Sequence, residues 1–299
     1  MKLAEALAAA RRRLAAAGIE DADLEAEVLL RHVLGWQRHQ LYAHLQDDLA
    51  PAHDAELQAL IERRRAHEPT AYIVGHKEFY GLELETAPVA LIPRPETELL
   101  VEEVLRAARA GAKARSPLIV DVGCGCRAIA AALAYHLPDA VIYALDLSDG
   151  ALALAARNAG KLGLSERIRF LPGDLLDPLP EPADIIVANL PYVKSGDWET
   201  LPPEIREHEP RAALDGGPTG TEVVERLLRQ APRYLRGGGV LLAEIGWDEG
   251  ERVAEIAREC LAEARIAVKK DLAGLDRLLV VESLGGGGIR RRRRSGPRS

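Results

Sequence analysis

The 299-residue sequence predicts an α/β fold: a mostly parallel sheet covered by helices on both faces, preceded by a small helical domain. Three observations carry this. After Lys113, apolar runs of strand length alternate with runs of helical periodicity. The first ~70 residues hold only helical patterns. Between the two lies a stretch of alternating residues punctuated by Gly75 and Gly81, which suggests a hairpin.

The elements follow in order. "KLAEALAAARRRLAAAG" spaces its apolar residues at helical intervals and stops at Gly18. "DADLEAEVLLRHVLG" opens on acids suited to a helix N-terminus and closes at Gly35. "PAHDAELQALIERRRAH" begins at Pro51, tolerated in a first turn, and ends on bases. Residues 71–92, "AYIVGHKEFYGLELETAPVALI", read as the bridging hairpin, and "PETELLVEEVLRAARA" as a helix from about Pro95. Strands "PLIVDVG", "AVIYALDLS", "RIRFLPGD" and "ADIIVANLP" then interleave with helices "AIAAALAYHL" and "ALALAARNAGKLG". The alternation continues through "GTEVVERLLRQAPRYL", "GGVLLAEIG" and "EGERVAEIARECLAEA" to a final pair, "ARIAVKKD" and "RLLVVES". Near-continuous apolar strands of this kind are buried on both faces, as in a parallel sheet. The expected boundaries are a helical domain at 1–70, a hairpin linker at 71–93, an α/β domain at 94–284 and a Gly/Arg tail at 285–299.

Composition narrows the class. A hydrophobic fraction of 47% supports a real core, and no apolar run reaches spanning length, so a soluble cytoplasmic protein is expected. Three cysteines, Cys124, Cys126 and Cys260, suit a reducing compartment and exclude a disulfide framework. The tail "GGGGIRRRRRSGPRS" carries six arginines and no acid; taking them from the net charge of -7 leaves a body at -13. So acidic a body is not built to hold nucleic acid through its phosphates, and none is expected as a partner. The tail's composition is that of a disordered segment.

The segment "IVDVGCGCRAIA" sets a glycine loop between a strand at 118–122 and a helix beginning near Arg127. Ligands of doubly wound sheets bind at such strand ends. A dinucleotide asks for G-x-G-x-x-G, with its pyrophosphate on the helix N-terminus. Here Gly123 and Gly125 are followed by Ala128, and Asp121 stands just before the loop. That acid opposes a pyrophosphate and suits a cationic ligand such as S-adenosylmethionine. Asp146 ends the second strand, where a carboxylate can accept ribose hydroxyls, and Asp174 ends the third, on the adenine side. Acids at three successive strand ends favour an adenosyl methyl donor, although the loop alone leaves the dinucleotide open. Cys124 and Cys126 lack the further ligands a structural zinc needs, so no metal is expected, and they read as small fillers of a tight loop.

The fourth strand ends in Asn189, Leu190, Pro191 and Tyr192. Beside a methyl donor, this tetrapeptide suits a planar nitrogen. Asn189 and a main-chain carbonyl can each accept one N–H, which aims the nitrogen by orientation alone. The Tyr192 ring can stack on the planar group and exclude water.

These residues resemble a known family. Asn189 to Tyr192 is similar to the N-P-P-Y motif of amino methyltransferases, with Leu190 in place of the first proline; Asn-Leu-Pro-Tyr also occurs in ribosomal RNA adenine dimethyltransferases. The upstream segment "EPTAYIVGHKEFYGLELETAPVALIPRPETELLVE" (68–102) resembles the inter-domain signature of the HemK-type release-factor glutamine methyltransferases. "HEPRAALDGGPTG" (208–220) and "GGGVLLAEIGWDEG" (237–250) are similar to the same family. The resemblance spans about residues 1–283 and implies a Rossmann-like class I S-adenosylmethionine methyltransferase sheet. It also implies methyl transfer to the glutamine amide of the Gly-Gly-Gln motif in peptide chain release factors.

By the same resemblance, Gly123, Cys124, Gly125, Cys126 and Arg127 form the cofactor loop with Asp121 behind it. Asp146 is the ribose acid, and Asp174 and Leu175 lie beside the adenine. Asn189, Leu190, Pro191 and Tyr192 hold the glutamine, Arg94, Glu96 and Thr97 flank the site, and the helical domain grips the release factor. A monomer is expected. One departure stands out: the family loop reads G-x-G-x-G, and Arg127 takes the last glycine. Its charge is expected near the cofactor, opposing it or meeting its carboxylate. Two alternatives stay open: an adenine N6 methyltransferase acting on RNA or DNA, and a catalytically impaired homologue.

Overall fold

The computed structural model describes residues 1–111 and 116–284. The chain opens with α1 (Leu3–Ala16), α2 (Ala22–Leu34), α3 (Arg38–Ala43), α4 (Pro51–Arg65) and α5 (Thr70–Val74). Leu7, Leu14, Leu29, Leu30, Leu57 and Ile61 bury their side chains in a core of their own. Helix α2 ends on Gly35, whose left-handed backbone (φ +63) lets its N–H reach the His32 carbonyl. Two short helices, α3 and α5, depart from the expected three-helix layout. Residues 71–74, expected in a β-type segment, belong instead to helix α5, entered at Pro69 and stopped by left-handed Gly75.

Strands β1 (His76–Phe79) and β2 (Leu82–Glu85) form the hairpin, turned by Tyr80 and Gly81 at φ +52 and +77. A single 3₁₀ turn at Pro95–Thr97 leads into α6 (Glu98–Gly111). The sheet is then laid down by β3 (Leu118–Val122), α7 (Ala128–His136), β4 (Val141–Asp146), α8 (Asp149–Lys161), β5 (Ile168–Pro172) and β6 (Ala183–Asn189). After β6 come β7 (Val193–Lys194), α9 (Pro203–His208) and β8 (Asp215–Gly217). The chain closes with α10 (Glu222–Tyr234), β9 (Leu235–Glu244), α11 (Gly250–Cys260), β10 (Ala264–Lys270) and β11 (Asp276–Ser283).

Seven strands make one sheet in the order β10-β11-β9-β6-β3-β4-β5. The run from β9 to β5 is parallel, and β11 is antiparallel to both its neighbours. Period-two alternation sends adjacent residues to opposite faces. Ile119, Ile185 and Leu242 pack under α6, α7 and α8, whereas Val120, Ile186 and Leu241 pack under α10 and α11. The reversal of strand order between β3 and β6 opens a crevice at their carboxyl ends, where β3, β4, β5 and β6 deliver their loops.

The helical region is tied to that edge. Arg64 on α4 is buried and donates to Glu25 on α2 and, at 2.6 Å, to Glu204 on α9. Tyr72 donates to the Ala90 carbonyl at 2.8 Å. No helix among the described residues is long and apolar enough to cross a membrane. The arginine tail falls outside the described residues.

Candidate active site

A cleft of about 460 Å³ opens at the carboxyl ends of the parallel strands, a size typical of small-ligand sites. Its floor is the glycine loop after β3. Gly123 and Gly125 adopt positive φ (+71 and +52), and a Cβ on Gly123 would stand 2.9 Å from the Leu190 side chain. The loop is fixed by Asp146 at the end of β4, whose carboxylate accepts from Gly125 N and Ser148 N, each at 2.8 Å. Asp174 lines the same wall and pairs with Arg226. Next to it Leu175 is held at φ +48, a backbone strained for leucine that turns a buried side chain inward beside the cleft.

Asp121 stands behind the loop and is fully buried. Its Oδ2 accepts from Ala130 N at 3.0 Å, and its Oδ1 has no hydrogen-bond partner among the described residues. Burial raises this carboxyl to about 7, and the nearby Asp146 charge adds to the rise. Asp121 therefore occupies the N-terminus of α7, the place a dinucleotide would use for its pyrophosphate. Acids at Asp146 and Asp174, apolar walls from Val89, Ala90, Leu145 and Leu190, and a carboxylate behind the loop fit an adenosyl sulfonium ligand better. Cys124 and Cys126 are buried, and burial pushes the Cys126 thiol up to about 12, so both fill space as neutral thiols.

Arg127 differs from expectation. Its backbone is left-handed (φ +78), as a glycine position demands, but its side chain does not line the cleft. It is fully buried, 5.7 Å from the Phe170 ring, with no hydrogen-bond partner for any of its three nitrogens among the described residues. The guanidinium thus faces neither a cationic ligand nor that ligand's carboxylate. Burial lowers it to about 10.

At the end of β6, Asn189, Leu190 and Pro191 line the cleft. Asn189 Nδ2 donates to Thr97 Oγ1 at 3.0 Å, and Thr97 Oγ1 donates to Glu244 Oε2 at 2.8 Å. Arg94 lines the cleft and pairs with buried Glu209, which also accepts from Ile92 N at 3.1 Å. That bridge ties the "IPRPET" and "HEPR" segments together across the sequence. Two expected neighbours fall outside the lining. Glu96 is exposed on the 3₁₀ turn, because Thr97 one step along takes the inward side. Tyr192 sits behind the cleft, its hydroxyl 3.4 Å from Glu244 Oε1, because the next residue enters β7 and pairs with Asp215.

Glu244, Glu209 and Gly216 were not singled out from the sequence. A Cβ on Gly216 would stand 2.6 Å from the Pro191 carbonyl oxygen and 2.8 Å from Tyr192 Cα. Only glycine lets β8 lie this close behind the tetrapeptide. The paired glycines of "DGG" (215–217) were the available signal.

The profile of the PrmC N-terminal domain matches residues 5–75, and that of a methyltransferase domain matches residues 119–208. A release factor glutamine methyltransferase of Moorella thermoacetica is 45% identical over 278 residues, 93% of this chain and 97% of that protein. One from Geobacter sulfurreducens is 43% identical over 244 residues, 81% of this chain and 84% of that protein. Among solved structures, a methyltransferase of Pyrococcus furiosus shares the fold with a TM-score of 0.51 at 17% identity, covering 76% of this chain and 98% of that one. With identity of this order along nearly the whole of both sequences, the chain belongs to the family of release factor glutamine methyltransferases.

Proposed function

We propose that this chain methylates the side-chain amide nitrogen of the glutamine in the Gly-Gly-Gln motif of peptide chain release factors, and that residues Asn189 to Pro191 hold that amide, with Tyr192 supporting them from behind. Family membership supports the reaction. One observation carries the role of the tetrapeptide: Asn189 commits Nδ2 to Thr97, which leaves Oδ1 at the cleft as a hydrogen-bond acceptor.

S-adenosylmethionine supplies the methyl group, bonded to a positively charged sulfur and open to direct displacement. Everything else falls to the protein. An amide nitrogen is a poor nucleophile because its lone pair is delocalised. Asn189 Oδ1 and a main-chain carbonyl of the tetrapeptide each accept one of its N–H bonds, which holds the nitrogen in line and lets it pyramidalise. The proton is lost after transfer, so no strong base is required. Val89, Ala90, Leu145 and Leu190 exclude water, which favours a step that neutralises charge. In this reading Asp146 would accept ribose hydroxyls, Gly123 and Gly125 would let the backbone approach the ligand, and Leu175 with Asp174 would border the adenine.

The helical region, residues 1–70, grips the release factor, and the linker at 71–93, which carries the β1–β2 hairpin, sets its distance from the cleft. We read the protein as a cytoplasmic monomer whose partner is a protein and not nucleic acid, since the body without its tail is strongly acidic. The test is transfer of labelled methyl to a release factor. The account expects label on the wild-type factor and none when the Gly-Gly-Gln glutamine is alanine. Label on ribosomal RNA or DNA, with none on the factor, overturns it in favour of an adenine substrate.

A further inference from the structure

We infer that Glu244 is a positioning residue that sets the direction of the Asn189 amide through the hydroxyl of Thr97. The inference rests on the reading of Asn189 as the group that holds the substrate amide. A primary amide has two ends of nearly equal shape. Only one, Oδ1, can accept an N–H from the substrate; the other would present N–H to N–H. The protein must therefore keep the side chain from turning over.

The hydrogen-bond chain does this by elimination. Burial raises Glu244, while the Thr97 and Tyr192 hydroxyls and the nearby Arg277 charge hold it down; in the ionised form it only accepts, and its Oε2 takes the single hydroxyl proton of Thr97 at 2.8 Å. With that proton spent, Thr97 Oγ1 offers Asn189 lone pairs alone. Asn189 meets it with Nδ2, at 3.0 Å, and Oδ1 is left facing the cleft. Reversing the amide would set Oδ1 against a hydroxyl with no proton to give. The other oxygen of Glu244 lies 3.4 Å from the Tyr192 hydroxyl, so the same carboxylate also reaches the last residue of the tetrapeptide.

The fold places these groups with little freedom. Glu244 and Asn189 are Cα partners at the last register position of β9 and β6. Thr97 is buried on the 3₁₀ turn of the "PRPET" segment, and Glu244 is 2% exposed and outside the cleft lining. A carboxylate buried so deeply is costly unless it is hydrogen-bonded, and here its two oxygens meet the hydroxyls of Thr97 and Tyr192.

The experiment compares Glu244→Gln, Thr97→Val, Thr97→Ser and Asn189→Ala for release-factor methylation, with cofactor affinity measured separately by calorimetry. A glutamine at 244 can donate to Thr97, which frees the hydroxyl to donate to a reversed Asn189. Turnover in Glu244→Gln falls on the order of 10–100-fold, while KM for the factor and cofactor affinity stay within about threefold, because orientation alone is lost. Thr97→Val falls comparably, and Thr97→Ser, which restores the hydroxyl, recovers most of that loss. The double variant Thr97→Val with Glu244→Gln is no worse than the poorer single one, as members of one chain are not additive. Glu244→Gln within twofold of wild-type turnover overturns the inference, as does a loss matched by an equal loss of cofactor affinity. If Asn189→Ala itself keeps normal turnover, the reading beneath it has failed instead.

Discussion

Replacing Arg127 by methionine stabilises the protein, although the change removes a charge. The guanidinium is buried, its three nitrogens without partners among the described residues and the Phe170 ring 5.7 Å away. Burial lowers it from an ordinary 12.5 to about 10, which at 1.36 kcal/mol per tenfold is on the order of 3 kcal/mol of penalty at neutral pH. Methionine fills much of the same space without a charge. It gives up a cation–π contact worth about 0.5–1 kcal/mol and gains a sulfur–aromatic one of similar size. The net expectation is roughly 2–3 kcal/mol in urea unfolding, or about 4–10 °C in Tm for a chain of this size. Glycine makes the complementary test. It relieves the left-handed strain of about 1–2 kcal/mol as well as the charge, but leaves a cavity whose cost in such cores is about 2–5 kcal/mol, so it should be less stable than methionine. Cofactor affinity, read by calorimetry, stays within about threefold in Arg127→Met and tightens in Arg127→Gly, whose loop backbone relaxes. A methionine variant less stable than wild type would falsify the unpartnered cation. A tenfold loss of cofactor affinity would show that the guanidinium reaches the ligand after all.

Three further outcomes follow from the site. Asn189→Ala lowers turnover by about 100-fold or more in a methyl-transfer assay and leaves cofactor affinity nearly intact; normal turnover contradicts its role. Tyr192→Ala costs more turnover than Tyr192→Phe, because the ring holds the end of the tetrapeptide; equal losses would assign the work to the hydroxyl near Glu244. Asp121 is about 7 in the fold against an ordinary 3.8, so across that window the folded state binds more protons than the unfolded one, and this residue erodes stability as pH rises from about 4 to 7. Asp121→Asn removes that falling contribution, so the variant's stability gains on wild type's as pH rises over that range, and an unchanged slope in the variant contradicts the burial argument.

Much of the fold was legible because parallel strands buried on both faces are written as unbroken apolar runs, such as Ile185 to Ala188. The strand ends were legible for the same reason: Asp121, Asp146 and Asn189 are the first polar residues such runs allow. Long-range partners were not. Nothing local to Glu244 says that its neighbour in register is Asn189, or that Glu209 closes on Arg94, since strand order is decided by the packing of whole units. Helix α5 was read as β-type because Tyr72, Ile73 and Val74 are β-formers; its packing against the α2–α4 core overrode propensity. For Arg127, the left-handed backbone could be read from the glycine pattern. The direction of the side chain could not, because it depends on which wall of the loop has room.

Tandem mass spectrometry of a release factor after incubation with the enzyme and S-adenosylmethionine tests the central claim most directly. The account predicts a single added methyl, located by fragmentation on the side-chain nitrogen of the Gly-Gly-Gln glutamine. It also predicts that a factor carrying asparagine there is methylated about 100-fold more slowly or worse, since one missing methylene withdraws the nitrogen by more than a 1 Å misplacement. A methyl on any other residue, or equal modification of the asparagine factor, contradicts the account.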